Sequence, residues 1–213
     1  MIEYFKKLFN KNKTDGNTPK TAEDRINEMY GELSADIVSI KLGNDIGAFY
    51  DNLGLELAEF RENLFEKTGF IFPPIRVTEQ PDLQENEFTI CVRNKEVKNG
   101  FCHLTEDDAL NDIIKALEDV YKENIDKIFS NEIMEKYMDT VQKQNGWMVW
   151  NLSNAMPLWG IRLVLVNLLK EGKSIKDINY IFDKICIYAT KNRDVCIKAD
   201  PYMISDKMSR EKL

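Results

Sequence analysis

The stretch GFIFPPIRVTEQPDLQENEFTICVRNKEVKNG, residues 69–100, decides the fold of the first half of this chain. Its adjacent prolines, Pro73 and Pro74, cannot continue a helix, and they hold the backbone extended. The residues that follow them, 75–77, are therefore predicted to form a strand. A polar loop separates this strand from a second extended segment.

The second extended segment begins after that loop. Apolar and polar residues alternate over 87–93, which is typical of a half-buried strand. Asn94 and Lys95 are predicted to close a two-residue hairpin, although the glycine usual in such turns is missing. A third strand is expected over 96–103.

On the N-terminal side of this stretch, residues 36–43 are predicted to form a strand and a helix should end at Gly69. The helix is indicated by an apolar stripe at helical spacing, formed by Leu53, Leu57, Phe60 and Leu64. Residues 35–104 are thus expected to form a small α+β subdomain.

The second half of the chain is predicted to be helical, with a helical subdomain over 105–190. Thr105 is followed three residues later by an acid, as at a helix start. Apolar stripes run over 110–128 and 133–141, and 161–169 is apolar nearly all round, as in a buried central helix. The segment from Ser174 to Asp177 is expected to cap a further helix.

The two ends of the chain have weaker patterns. Residues 1–34 are interpreted as an N-terminal segment and linker, and 191–213 as a C-terminal tail. Residues 1–9 fit either a frayed terminus or a short amphipathic docking helix with weak membrane-surface contact. The polar segment 10–19 has the glycine and proline content of a linker.

Composition excludes several classes of function. The 213 residues carry a net charge of −7, which disfavours nucleic acid as a partner. The first residues do not have the layout of a secretory signal. Residues 144–161 are uncharged, but their polar groups would be costly in hydrocarbon, so a buried helix pair broken near Pro157 is expected.

No cluster of residues predicts catalysis, a metal site or a cofactor. The four cysteines, which form no Cys-x-x-Cys pair, are expected to be reduced and mostly buried. The single histidine, His103, follows Cys102 directly, and neighbouring strand residues point to opposite faces. Only Cys91, on the adjacent predicted strand, remains as a thiol partner for it.

Three tryptophans, Trp147, Trp150 and Trp159, lie close together in the sequence. One interpretation places them in the core between helices. The other is an exposed apolar groove for a partner, because aromatic residues are enriched at interface anchors.

Several motifs resemble the soluble region of the large export-gate subunit of flagellar and type III secretion systems, the FHIPEP family. That family has a Gly-Phe-x-x-Pro-Pro-Ile-Arg motif, which is similar to residues 69–76, and a Leu-x-x-Asn-x-Tyr motif, which is similar to 83–88. Its helical Asn-Leu-Leu motif is similar to Asn167, Leu168 and Leu169, followed in register by Ile175 and Asp177.

The resemblance implies a truncated, stand-alone homologue. It would lack the family's membrane half, the subdomain inserted after Gly100 and the final α/β subdomain, which puts chaperone docking in doubt. The implied partners are export components, secretion substrates or further copies of the chain. The implied location is cytoplasmic, or peripheral at the inner face of the membrane, which it would meet only indirectly.

The expected function is that of a non-enzymatic component of a type III or flagellar export apparatus, acting by protein–protein contacts. The alternative is a repurposed cytosolic adaptor or regulator that kept the fold and lost the secretion role. Seven motif positions are candidates for interfaces: Arg76, Asn86, Asn167, Asp177, Trp147, Trp150 and Trp159.

Overall fold

The structure, a computed structural model, describes residues 36–44, 50–103, 105–191 and 200–210. Residues 1–9, the linker 10–19 and Cys196 lie outside these ranges, so the interpretations of those segments stay predictions. The described strands are β1 Val38–Leu42, β2 Ile75–Glu79, β3 Glu87–Val92 and β4 Lys95–Phe101. The described helices are α1 Tyr50–Thr68, α2 Glu106–Ile128, α3 Asn131–Gln144, α4 Gly146–Ala155, α5 Leu158–Lys170, α6 Ile178–Lys191 and α7 Pro201–Arg210.

The four described strands form one mixed sheet in the order β2-β1-β3-β4. Strand β1 pairs in parallel with β2, and α1 connects the two strands. Strand β1 also pairs antiparallel with β3, which pairs antiparallel with β4. The sheet precedes a run of helices, so the predicted α+β fold class is confirmed.

The hairpin between β3 and β4 turns one residue earlier than predicted. Its two central residues are Arg93 and Asn94, with φ values of 51° and 61°, and Lys95 already pairs with Val92. Two consecutive positive φ angles are those of a type I′ turn, whose twist matches the flanking strands. Asparagine tolerates this conformation, which explains how the turn forms without glycine.

The first helix ends where the sequence predicts. Leu53, Leu57 and Phe60 are buried, and the helix stops at Thr68. Gly69 follows with φ +75°, a conformation in which a side chain is strained. Its backbone also lies close to that of Lys176. A Cβ atom placed on Gly69 would come 2.4 Å from the Lys176 nitrogen, which is too close for any side chain.

The segment after Gly69 joins the sheet to the helices. Phe70 and Phe72 are fully buried, and the Phe70 ring packs against the rings of Tyr121 and Phe129, with centroids 5.6 and 5.2 Å apart. The Ile175 N–H also donates to the Thr68 carbonyl, at 2.7 Å. The core is therefore continuous from the sheet into the helices.

The helices pack around α5, as its apolar sequence predicts. Seven residues of this helix are buried: Gly160, Ile161, Val164, Leu165, Val166, Leu168 and Leu169. The break between α4 and α5 falls at Met156 and Pro157, and the two axes meet at 97°. Within the described ranges no single helix is long and apolar enough to cross a membrane, and only the bent pair α4–α5 has that length and composition jointly.

The predicted C-terminal tail contains a packed helix. Helix α7 buries Ile204 and Met208, and it packs against α5. These two residues lie four apart and therefore on one helical face. Ten residues are too few for this periodicity to stand out in the sequence, which is why the segment resembled a tail.

The start of α2 also differs in detail from the prediction. Thr105 is the N-cap residue, but its side chain makes no capping hydrogen bond to the helix backbone. Its hydroxyl donates instead to the carboxylate of Asp108. The acid three residues on thus binds the threonine side chain.

Candidate protein-interaction surface

Two tryptophans form a stacked pair on α4. The helix begins after Asn145, whose side chain accepts a hydrogen bond from the Met148 N–H at 3.1 Å. Trp147 and Trp150 lie three residues apart and so share one face of the helix. Their rings stack with centroids 5.0 Å apart and an interplanar angle of 20°, while 69% and 58% of these residues remain exposed.

The third tryptophan lies beyond the bend. Trp159 is in the first turn of α5 and is also 58% exposed, without a described ring contact to the stacked pair. The interpretation of these residues as core is therefore wrong. Leu152 is the residue of α4 that is buried, with Met156 just after it, so these smaller side chains cover the core and the indoles do not.

We define the tryptophan surface as the exposed faces of Trp147, Trp150 and Trp159. It lies within residues 144–161, which contain no charged side chain. Indole rings offer a large apolar area with a single N–H donor, and charged groups are depleted at the centres of interfaces. The arrangement suits contact with another apolar surface.

Two of the motif residues from the first half have structural partners. The Arg76 guanidinium lies 3.1 Å from the Asp36 carboxylate, and both side chains are largely exposed. Asn86 donates from Nδ2 to the Cys102 carbonyl at 3.3 Å, and the Cys102 N–H donates to the Asn86 carbonyl at 2.8 Å. Asn86 thus fastens the end of the hairpin, which is more than a turn-forming role.

Two motif residues from the helices also have local partners. Asn167 on α5 donates to the Ser205 hydroxyl on α7 at 3.1 Å. Asp177 accepts from the Tyr180 N–H at 3.1 Å, so it is itself the N-cap of α6, whereas Ser174 accepts from the Lys176 N–H in the preceding loop. These four motif residues contact different partners, and the structure does not bring them together into one site.

His103 pairs with a carboxylate. Its Nδ1 lies 2.6 Å from Asp112 Oδ2, and its backbone N–H donates to the same oxygen at 3.1 Å. The side-chain hydrogen bond to Asp112 raises the pKa of His103 and lowers that of Asp112. His103 is exposed and Asp112 is half-buried, and the pair links the segment after β4 to the second turn of α2.

The described thiols are poor nucleophiles. Burial raises the pKa of Cys102 to about 12, and burial also raises the pKa values of Cys91 and Cys186. A thiol with a raised pKa stays protonated and unreactive at neutral pH. Within the described ranges, no three His, Cys, Asp or Glu side chains come together as a metal site would require.

A second apolar patch was not predicted from the sequence. Phe65 on α1 and Ile71 just after it are 37% and 41% exposed, and with Phe72 they line a groove of about 450 Å3. The signal was available, because Phe65 falls off the stripe that predicts the buried face of α1. Phe65 directly follows Leu64 of that stripe, so it is turned by about 100° from the buried face and is partly exposed by geometry.

The FHIPEP family model matches residues 103–200 of this chain. No curated protein matches the sequence significantly. The Chlamydia pneumoniae CdsV protein has a similar structure, with a TM-score of 0.68 and 14% identity over 79% of this chain and 68% of that chain. The structure of the CdsV and CdsO complex gives a TM-score of 0.69 and 14% identity, over 81% of this chain and 63% of that chain.

The nonameric cytosolic domain of EscV, from the type III secretion system, gives a TM-score of 0.66 and 16% identity, over 82% of this chain and 63% of that chain. The chain thus spans from 63% to 68% of the lengths of these structures. At such low identity the likeness establishes the fold. The resemblance drawn from the sequence is confirmed: residues 103–200 match the FHIPEP family model, and the chain has a fold similar to that of type III secretion cytosolic domains.

Proposed function

We propose that the chain is a component of a type III or flagellar export apparatus and that it acts by protein contacts rather than by catalysis. The observation that carries this proposal is the coincidence of the FHIPEP match over 103–200 with the EscV-like fold over 82% of the chain. The matched part of EscV is a cytosolic domain, which supports a cytoplasmic location for this chain. Residues 35–104 and 105–190 would be its two subdomains, packed through Phe70 and its neighbours.

The tryptophan surface is the contact region we propose for a protein partner. Its exposed rings are anchors of the kind that dominate binding energy when a partner covers them. EscV is nonameric and CdsV forms a complex with CdsO, so both self-association and binding to another export protein have precedents on this fold. The first candidate partner is a second copy of the chain.

Light scattering coupled to size exclusion, at rising protein concentration, tests self-association. A monomer has a mass of 24.8 kDa. We expect larger species to appear with concentration, and to disappear in a Trp147→Gln/Trp150→Gln variant. Leu55→Gln is the matched control, because Leu55 is 70% exposed on α1, away from the tryptophan surface.

A chain that stays monomeric at every concentration would reject self-association. The remaining test is then co-purification with the export proteins encoded in the same genome. All three tryptophans of the chain lie on the tryptophan surface, so a blue shift of their fluorescence reports burial there directly. Binding that is absent for every export protein would refute the secretion role.

A further inference from the structure

A basic pocket of about 300 Å3 opens where the β3–β4 turn meets the junction of α2 and α3. Residues from four elements or their ends line it: Arg93, Asp126, Lys127, Ser130, Asn131 and Arg162. Arg93 is in the hairpin turn and Arg162 is on α5, so the fold brings together cations that are far apart in the chain. None of the three tryptophans lines this pocket, although Arg162 follows Trp159 by three residues on α5.

The side chains that line the pocket carry a net positive charge, whereas the whole chain is negatively charged. Three cations, Arg93, Lys127 and Arg162, line it together with a single carboxylate. That carboxylate, on Asp126, lies 3.7 Å from the Lys170 ammonium, which offsets its charge further. The chain as a whole carries −7, so any attraction of an anion to this pocket is local.

Backbone carbonyls at the end of α2 hold the two arginines in place. Arg93 donates from Nε to the Lys127 carbonyl at 3.0 Å. Arg162 donates from Nη1 to the carbonyls of Asp126 and Phe129, at 3.1 and 2.8 Å. These bonds satisfy carbonyls that a helix end leaves without partners, and they fix both guanidinium groups against one wall.

Capping uses only part of each guanidinium. A guanidinium carries five N–H donors. Within the described residues, both terminal nitrogens of Arg93 and Nη2 of Arg162 have no protein partner, and Nε of Arg162 is buried without one. The pocket thus holds more positive charge and more donors than helix capping requires.

A carboxylate fits these groups, and it is the anion that a protein partner carries on its acidic side chains. The paired terminal nitrogens of an arginine match the two oxygens of a carboxylate. The cavity has room for one acidic side chain or a chain terminus. A phosphate oxygen pair shares this geometry, so the test must compare the two anions directly.

We propose that this pocket binds a carboxylate from an acidic segment of a protein partner. The proposal deepens the contact function proposed above, since it rests on a protein partner and names that partner's chemistry. The two terminal nitrogens of Arg93 would donate to the carboxylate, and Lys127 and Arg162 would supply further donors and positive charge.

Nuclear magnetic resonance of the 15N-labelled full chain tests the proposal. The probes are a capped tri-glutamate peptide, a capped tri-glutamine peptide and inorganic phosphate. We expect the Nε–Hε resonances of Arg93 and Arg162 to shift with tri-glutamate and to stay unchanged with tri-glutamine. Arg93→Gln/Lys127→Gln should weaken tri-glutamate binding about tenfold or more, because the variant removes two positive charges and the charge-assisted hydrogen bonds that they donate.

The matched control is Lys67→Gln/Lys136→Gln, which removes the same charge from exposed positions outside the pocket. Its affinity should stay within about twofold of the parent chain, since exposed charges at a distance are screened. Amide spectra of both variants check that they are folded.

Three results would overturn the proposal. The first is an equal loss of affinity in the two double variants. The second is saturation of the same resonances by phosphate at a lower concentration than by tri-glutamate, which would make the pocket a phosphate site. The third is no shift of either arginine with tri-glutamate. None of these results bears on self-association through the tryptophan surface, so the two proposals fail separately.

Discussion

Replacing Tyr137 with phenylalanine should weaken the joint between the sheet and the helices. The Tyr137 hydroxyl donates to the Gly69 carbonyl at 2.7 Å and accepts from the Ile71 N–H at 2.8 Å. Its ring packs against Phe129, with centroids 5.7 Å apart, and is retained in the variant. The substitution therefore deletes two hydrogen bonds and almost no apolar contact.

The expected loss of stability is the sum of the costs at the two backbone groups that lose their hydrogen bond to Tyr137. The buried Gly69 carbonyl keeps no described partner, which costs about 1–3 kcal/mol. Ile71 is 41% exposed, so water replaces part of the bond to its N–H, and this side costs about 1 kcal/mol or less. The free energy of unfolding should fall by about 1–4 kcal/mol, and the melting temperature by about 2–16 °C for a chain of this size.

Urea unfolding followed by circular dichroism measures this loss. Tyr202→Phe is the matched control, because Tyr202 is 62% exposed and its hydroxyl has no described hydrogen bond. The control should stay within about 0.5 kcal/mol of the parent chain. A Tyr137→Phe variant as stable as this control would refute the reasoning.

The same variant carries a pH signature. Burial raises the pKa of Tyr137 far above its usual value, so the unfolded chain loses this proton at a lower pH than the folded chain. The stabilisation is therefore complete below the ordinary tyrosine pKa of about 10 and is lost as the pH rises through the folded value. The parent chain should lose more stability in strong alkali than Tyr137→Phe, while Tyr121 and Cys102, whose pKa values are also raised, contribute equally to both.

Three further predictions use substitutions or titrations at single sites. Gly69→Ala should destabilise the chain by about 1–2 kcal/mol more than Gly172→Ala in thermal unfolding, because both glycines have positive φ but a Cβ on Gly172 meets nothing within 4 Å. Asp177→Ala should lower the free energy of unfolding, measured with urea, by about 1 kcal/mol, because the N-cap hydrogen bond of α6 is lost. An unchanged free energy of unfolding would show that Asp177 does not stabilise α6 as its cap. His103 is the sole histidine, so its proton resonances should titrate above pH 6.5 and move back towards that value in Asp112→Asn; an unchanged midpoint would contradict the pairing. Because the pKa of His103 is raised in the folded chain, its pairing with Asp112 stabilises the fold fully at a pH below the pKa of His103 in the unfolded chain. This stabilisation is lost as the pH rises through the pKa of His103 in the folded chain.

Local chemistry made most of the elements predictable. Gly69 ends α1, and Pro73 and Pro74 hold the backbone extended before β2. Alternation over 87–93 predicts β3, because side chains on a strand point to opposite faces in turn. The hairpin turn was displaced by one residue because Arg93 adopts a positive φ, which nothing in its own chemistry favours. The segment from Ser174 to Asp177 was predicted to cap α6, but serine and aspartate are equally good caps, so the sequence alone does not show that Asp177 is the capping residue.

The candidate surfaces were less predictable. The three tryptophans could be recognised as a cluster, but their exposure depends on whether another element covers them. Exposure of the indoles follows from the positions of Leu152 and Met156, which fill the core side of the bend. The basic pocket was not predicted at all, since Arg93 and Arg162 are separated in sequence and each alone is an ordinary surface cation.

The sequence by itself determined the strands, the helices as far as α6, the α+β class and the family resemblance, because these depend on periodicity, prolines, glycines and short motifs. The tertiary structure decided how Tyr137 joins Gly69 to α3, how α7 covers α5, and which charges meet beside Ser130. Periodicity shows which face of an element is apolar. Which surface covers that face depends on contacts between distant segments, and these form only when the whole chain packs.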